Sequence, residues 1–86
     1  MKQSKFTIQN AEGLHSRPAS DFCTEATKYG CKVTLTKEGD DNEYDGKSIL
    51  MVMCLGACKG DEITIQTEGP DEEKALESLL NILKNV

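Results

Sequence analysis

The chain has no hydrophobic run long enough to cross a membrane. Its longest apolar stretch, ILMVMCL, covers only residues 49–55, whereas a spanning helix needs roughly 20 such residues. The N-terminal segment MKQSKFTIQN has neither the hydrophobic centre nor the small-residue cleavage site of a secretory signal. We therefore expect a cytoplasmic protein that does not insert into membranes.

Basic residues are scarce as well. The 10 lysines and arginines are outnumbered by 15 aspartates and glutamates, which gives a formal net charge of −5, and Arg17 is the only arginine. Because nucleic-acid phosphates are bound by clustered lysines and arginines, this composition argues against a nucleic-acid partner. An acidic surface suits protein partners that present basic faces.

Metal-binding and nucleotide-binding motifs are absent too. A zinc site needs CxxC pairs or several histidines, and the sequence has no CxxC pair and a single histidine, His15. It also has no GxGxxG motif and no P-loop lysine pattern. We expect no metal and no cofactor, and we expect the thiols to be reduced and mostly buried as small apolar side chains. The four cysteines are Cys23, Cys31, Cys54 and Cys58, the last two at the i, i+4 spacing of one helix face.

The sequence predicts a regular succession of short strands and helices within one domain, residues 1–86. Alternating apolar residues predict strands at Phe6–Ile8, Val33–Leu35 and Ile63–Ile65, and a short exposed strand at Asn42–Asp45. Helical spacing predicts helices from Arg17 to Tyr29 with Gly30 at the C′ position, from Ile49 to Leu55, and from Pro70 onward.

The predicted order of elements is β-α-β-β-α-β-α. Each strand has one polar face, which indicates an antiparallel sheet that is covered on one side only. We therefore predict an α+β fold with two layers, in which the helices pack against one face of a four-stranded sheet.

The stretch GLHSRPAS, residues 13–20, holds the only histidine and the only arginine. Pro18 fits the first turn of a helix, where its missing N–H would be unpaired in any case, and this places His15 near the N-cap. The open N–H groups of Ser16 and Arg17 would favour an anion, and the Arg17 guanidinium suits phosphate oxygens. A neutral imidazole can attack phosphorus, so the stretch can carry a phosphoryl group on His15.

A second interpretation of the same residues is a surface histidine that precedes a helix beside an unrelated arginine. One histidine and one arginine are weak evidence, and their spacing alone slightly favours this second interpretation.

A serine before the apolar run is the other feature of note. Ser48 is predicted as the N-cap of the helix at residues 49–55, and Gly56 is predicted to end that helix. Ile49, Leu50 and Met53 share one face of it. Either the helix is buried on all sides, or this face is exposed for partner contact, and the residues alone do not decide between the two.

Two motifs in this order resemble the HPr family, the histidine-containing phosphocarriers of the bacterial sugar phosphotransferase system. GLHSRPAS is similar to the family pattern G-[IL]-H-x-R-P-A, and GKSILMVMCLGACKGDEITI is similar to the family's regulatory serine segment. Ser16 stands where many members have alanine. The likeness covers essentially the whole chain and implies an open-faced β-sandwich with strand order 1-4-2-3.

The resemblance also implies roles for the residues in the first motif. His15 corresponds to the histidine that Enzyme I phosphorylates at Nδ1, and Arg17 to the arginine that neutralises and orients the phosphoryl group. The group then passes to the IIA domains of sugar permeases. The protein would be a stoichiometric relay and not an enzyme. The sequence is silent on the oligomeric state, for which a monomer is the default expectation.

For the second motif, the resemblance implies regulation and docking. Ser48 corresponds to the serine that HPr kinase/phosphorylase modifies, and the modified form acts with catabolite control protein A in catabolite repression. The face formed by Ile49, Leu50 and Met53 corresponds to a surface that docks partners.

Two alternative functions stay open. One is a regulatory binding module that works mainly through Ser48, although a module of that kind usually lacks the histidine. The other is a phosphocarrier of a nitrogen branch with the same chemistry and different partners. The role of the acidic loop Glu38–Gly46 and the sugars served are not predicted.

Overall fold

A computed structural model describes residues 1–85 of the chain. The elements follow the predicted order β-α-β-β-α-β-α. They are β1 (Lys2–Thr7), α1 (Ser16–Ala26), β2 (Lys32–Lys37), β3 (Tyr44–Asp45), α2 (Ile49–Leu55), β4 (Glu62–Glu68) and α3 (Glu72–Lys84). Among these residues, no helix combines the length and the apolar character that crossing a bilayer requires.

The four strands form one antiparallel sheet in the order β1-β4-β2-β3. The central strand β4 buries Ile63, Ile65 and Thr67, and its alternate residues are half-buried or exposed. On the open face, Gln66 Nε2 donates a hydrogen bond to Gln3 Oε1 at 2.9 Å. The open-faced α+β sandwich and the strand order 1-4-2-3 are therefore confirmed.

One apolar core fills the space between the sheet and the helices. The helices contribute apolar residues at helical spacing, which include Phe22 of α1, Val52 of α2 and Leu79 of α3. Thr67 is the one buried polar residue among those described, and its hydroxyl donates to the carbonyl of Glu72 at 2.8 Å. A buried hydroxyl with a partner avoids the free-energy cost of an unpaired polar group.

Several predicted boundaries are wrong. The first strand ends at Thr7, so Ile8 lies just outside it. Helix α1 ends at Ala26 with Thr27 as C-cap, and Gly30 is not a left-handed C′ residue. Instead, the N–H of Gly30 donates to the Asp71 carboxylate at 2.9 Å. Pro70 lies outside α3, whose N-cap is Asp71. The third strand covers only Tyr44–Asp45.

The expectation for the cysteines is only half right. All four thiols are free; Cys23 and Cys31 are buried, and burial raises the pKa of both thiols. Cys54 and Cys58 are exposed. They do not share a helix face, because α2 ends at Leu55 and Gly56 adopts the left-handed conformation that ends it.

A carboxylate joins α1 to α3. Glu25 accepts hydrogen bonds from the Ser78 hydroxyl and from Lys28 Nζ, the latter at 2.9 Å. These hydrogen bonds, that of Ser78 foremost, lower the pKa of the Glu25 carboxyl below its usual value. The contribution of this carboxylate to stability is therefore present above the usual glutamate pKa of about 4.3 and is lost as the pH falls through the lowered value.

Replacing Ser78 by alanine should show this pH dependence. We expect Ser78→Ala to reduce the free energy of unfolding by about 1–2 kcal/mol at neutral pH, because the charged Glu25 carboxylate loses one of its hydrogen-bond donors. The loss should shrink at a pH below the lowered pKa, where the carboxyl is protonated. Urea unfolding at neutral pH and at a pH below the lowered pKa of Glu25 measures this loss of free energy. Ser20→Ala, in the exposed part of α1, is the matched control, and an equal loss in both variants would contradict the assignment.

Candidate functional site

The loop before α1 is attached to the segment that follows α2. The N–H of Leu14 donates to the carbonyl of Ala57 at 2.9 Å. Gly13 has a φ of +69°, and a Cβ placed on it would lie 2.4 Å from the same carbonyl oxygen. The left-handed backbone and the close approach both require glycine here.

Further hydrogen bonds fix the course of this loop. Asn10 and Gly13 exchange two of them: the Gly13 N–H donates to the Asn10 carbonyl at 3.1 Å, and Asn10 Nδ2 donates to the Gly13 carbonyl at 2.8 Å. Ile8 pairs with Asp61 and Gly60 through backbone bonds of 2.9 and 2.8 Å. The loop thus enters α1 from a fixed direction.

His15 lies where this loop becomes a helix. It is the N-cap of α1 with φ −130° and ψ 166°, as predicted, and its imidazole makes no capping hydrogen bond. The side chain is half-buried, while Leu14 beside it is fully buried. Because the first N–H groups of a helix have no partner inside that helix, His15 stands next to open donors and the positive end of the helix dipole.

The residue after His15 has an unusual backbone. Ser16 has a φ of +51° and is the only non-glycine residue with a positive φ among those described. This conformation is costly for a residue that has a side chain. It directly follows the histidine and is the first residue of α1, so the strain is located at the candidate site.

The Arg17 side chain extends along α1 and away from the N-terminal end of the helix. It is 90% exposed, and its Nε lies 3.9 Å from Asp21 Oδ2, one helical turn further on. Arg17 and Asp21 border a shallow cleft of about 310 Å³ together with Glu12. Arg17 is thus near His15 along the chain, while its guanidinium is paired with a carboxylate.

The prediction for Ser48 as a helix cap is confirmed. Its Oγ accepts a hydrogen bond from the N–H of Met51 at 3.3 Å, and α2 covers Ile49–Leu55. Val52 and Leu55 form the buried face. The opposite face is exposed, at 43% for Ile49, 69% for Leu50 and 44% for Met53.

The loop that holds His15 and the segment that holds Ser48 come together only at the C-terminal end of α2. The loop that leads to His15 contacts Ala57, just after α2. Ser48 lies at the other end of α2, about 10 Å further along the helix axis. Helices α1 and α2 contact each other, and the groove between them has a volume of about 340 Å³.

Two features of the site were not predicted from the sequence. The pairing of Arg17 with Asp21 could have been predicted, because opposite charges at i, i+4 are neighbours on a helix. The contact of Gly13 with Ala57 has no such signal, since it joins residues far apart in the chain. No group of three or more potential ligands is placed to hold a metal ion within residues 1–85.

The arrangement is suited to bind a small anion transiently. The imidazole of His15 and the first N–H groups of α1 come together at an accessible helix end, and Arg17 follows in the first turn with its side chain towards Asp21. The fold and the site thus define a class, a small α+β protein that presents its single histidine at the N-terminal end of a helix.

Comparison with known proteins identifies the family. The family described as "PTS HPr component phosphorylation site" matches residues 2–85. The phosphocarrier protein HPr of Pseudomonas aeruginosa is 39% identical over 85 residues, which is 99% of this chain and 93% of the relative.

Solved structures agree with this result. The crystal structure of HPr-C-His from Thermoanaerobacter tengcongensis superposes with a TM-score of 0.93 at 34% identity, covering 99% of this chain and 93% of that one. A structure of an HPr dimer from the same organism gives a TM-score of 0.74 at 34% identity, covering 99% and 95%. The chain belongs to the HPr family, the phosphocarriers of the phosphotransferase system.

Proposed function

We propose that this chain carries a phosphoryl group on His15, which it receives from phospho-Enzyme I and passes to the IIA domains of sugar permeases in the cytoplasm. It acts as a monomer and as a stoichiometric relay. The observation that supports this most is the position of His15, an N-cap whose imidazole makes no capping hydrogen bond and stands beside open helix amides.

The transfer itself is a displacement at phosphorus. The lone pair of the unprotonated imidazole nitrogen of His15, Nδ1 by family resemblance, forms the new N–P bond, while the bond from phosphorus to the donor breaks and its electron pair leaves with the donor. The N–H groups of Ser16 and Arg17 then face the added negative charge. The Arg17 guanidinium neutralises part of that charge.

Partners dock on the exposed face of α2, formed by Ile49, Leu50 and Met53. Exposed apolar side chains in one patch mark an interaction surface, and methionine adapts to differently shaped partners. The groove between α1 and α2 continues this surface through Thr24 and Thr27. A partner that covers the groove and the exposed face of α2 would contact both α1 and α2.

Ser48 is the proposed regulatory site, modified by HPr kinase/phosphorylase, and the modified form acts with catabolite control protein A. A phosphate at a helix N-terminus is tolerated, because the dipole and the open N–H groups favour negative charge. It would place a charge of about −1.5 to −2 beside Ile49 and so weaken apolar docking.

Two other functions use the same structure differently. A mainly regulatory module would act through Ser48 alone and would not need His15 as an acceptor. A nitrogen-branch carrier would use His15 with other partners. The cap at Ser48 is observed, but a serine cap is common without any regulation, so the relay is the proposal that the site supports best.

Phosphoryl uptake from phosphoenolpyruvate and Enzyme I tests the relay. We expect one acid-labile phosphoryl group per chain, measured by mass spectrometry, because His15 is the only histidine. His15→Ala should take up none. Arg17→Ala should take up the group more slowly, and the exposure of the side chain means that its fold should be unchanged. Acid-labile phosphate on His15→Ala, or none on the unchanged chain, would contradict the proposal.

The kinetics of the same reaction test the two proposals for α2. Leu50→Ser should raise the KM for phosphoryl transfer several-fold with little change in kcat or in stability, because the residue is 69% exposed. Modification of Ser48 by HPr kinase/phosphorylase and ATP should have the same effect and should be absent in Ser48→Ala. Glu77→Ser, an exposed change on α3, is the control. Unchanged kinetics in Leu50→Ser would exclude this docking face, and an unmodified Ser48 would exclude the regulation.

A further inference from the structure

One acidic residue beside the site, Asp21, takes no direct part in the phosphoryl transfer. Asp21 is the partner of Arg17: its Oδ2 lies 3.9 Å from Arg17 Nε, and its side chain is 48% exposed. At this distance the attraction is between charges and is not a short hydrogen bond. Arg17 can therefore leave Asp21 for an anion that binds it more strongly.

The position of Asp21 sets up a competition for the Arg17 guanidinium. The group that neutralises a phosphoryl on His15 must reach the N-terminal end of α1, whereas Asp21 holds Arg17 one turn towards the C-terminal end. Arg17 is the only arginine in the chain. A planar guanidinium binds a phosphate best through two parallel N–H groups that point at it, and the attraction to Asp21 draws the side chain in the other direction.

We propose that Asp21 is a positioning residue that holds Arg17 away from His15 in the unphosphorylated protein and so weakens the retention of the phosphoryl group. This inference rests on the proposed relay function. A carrier must release the group it accepts, and a competing carboxylate keeps the phosphorylated state from being too stable. Glu12 borders the same cleft and adds negative charge on that side.

The size of the effect follows from the exposure of the pair. Exposed ion pairs of this kind change an equilibrium by about 1.5-fold to 5-fold. Asp21→Asn should therefore increase the equilibrium constant for phosphorylation of His15 by about that factor. Screening of exposed charges predicts that the increase becomes smaller in high salt.

The test measures the fraction of His15 that is phosphorylated at a fixed ratio of phosphoenolpyruvate to pyruvate, with catalytic Enzyme I, at low and high salt. Asp21→Asn should be phosphorylated to a greater extent than the unchanged chain, and Asp21→Glu should stay close to it. Glu77→Gln removes an equal charge from α3 and should have no effect.

Two further variants show whether Asp21 acts through Arg17. In the Arg17→Ala background, Asp21→Asn should lose most of its effect, because no guanidinium is left to release. An equal effect in both backgrounds would mean that Asp21 acts by its charge alone, which would overturn the inference. No effect of Asp21→Asn in the presence of Arg17 would also overturn it, whereas an unchanged chain that takes up no phosphoryl would overturn the relay itself.

Discussion

The contact between Gly13 and Ala57 is the constraint on which the site depends. It joins the loop that leads into α1 to the segment that leaves α2, through the hydrogen bond from Leu14 to Ala57 and the close approach that only glycine permits. Since Leu14 is buried next to this contact, the chain has little freedom when it reaches His15. The direction of the histidine is thus fixed by backbone and core, not by hydrogen bonds of its own side chain.

The same contact places two different surfaces side by side. On one side of it lies the N-terminus of α1, with an imidazole, open amides and the strained residue Ser16. On the other lies α2, with a buried face and an exposed apolar face. A phosphoryl relay needs a group that accepts the phosphoryl and a nearby surface that holds the partner. A small chain with one core can keep the two close together only if its loops are firmly joined.

Local patterns predicted most of the fold, and distant contacts explain the errors. Alternation in β4 and helical spacing in α2 are properties of neighbouring residues, and both elements lie where they were predicted. Gly30 and Pro70 were misassigned because Asp71 ties the turn after α1 to the start of α3, a contact across 41 residues. At the site, the N-cap position of His15 could be predicted from Pro18, while the contact of Gly13 with Ala57 could not, because no local spacing signals it.

The rate of phosphoryl uptake by Gly13→Ala, compared with Gly39→Ala, tests this account most directly. Both glycines have a positive φ, but a Cβ at position 13 would meet the Ala57 carbonyl at 2.4 Å, while one at position 39 would meet nothing within 4 Å. Measured on the folded fraction of each variant, uptake should be much slower in Gly13→Ala and unchanged in Gly39→Ala. Equal rates in the two variants would show that the contact with Ala57 does not position His15.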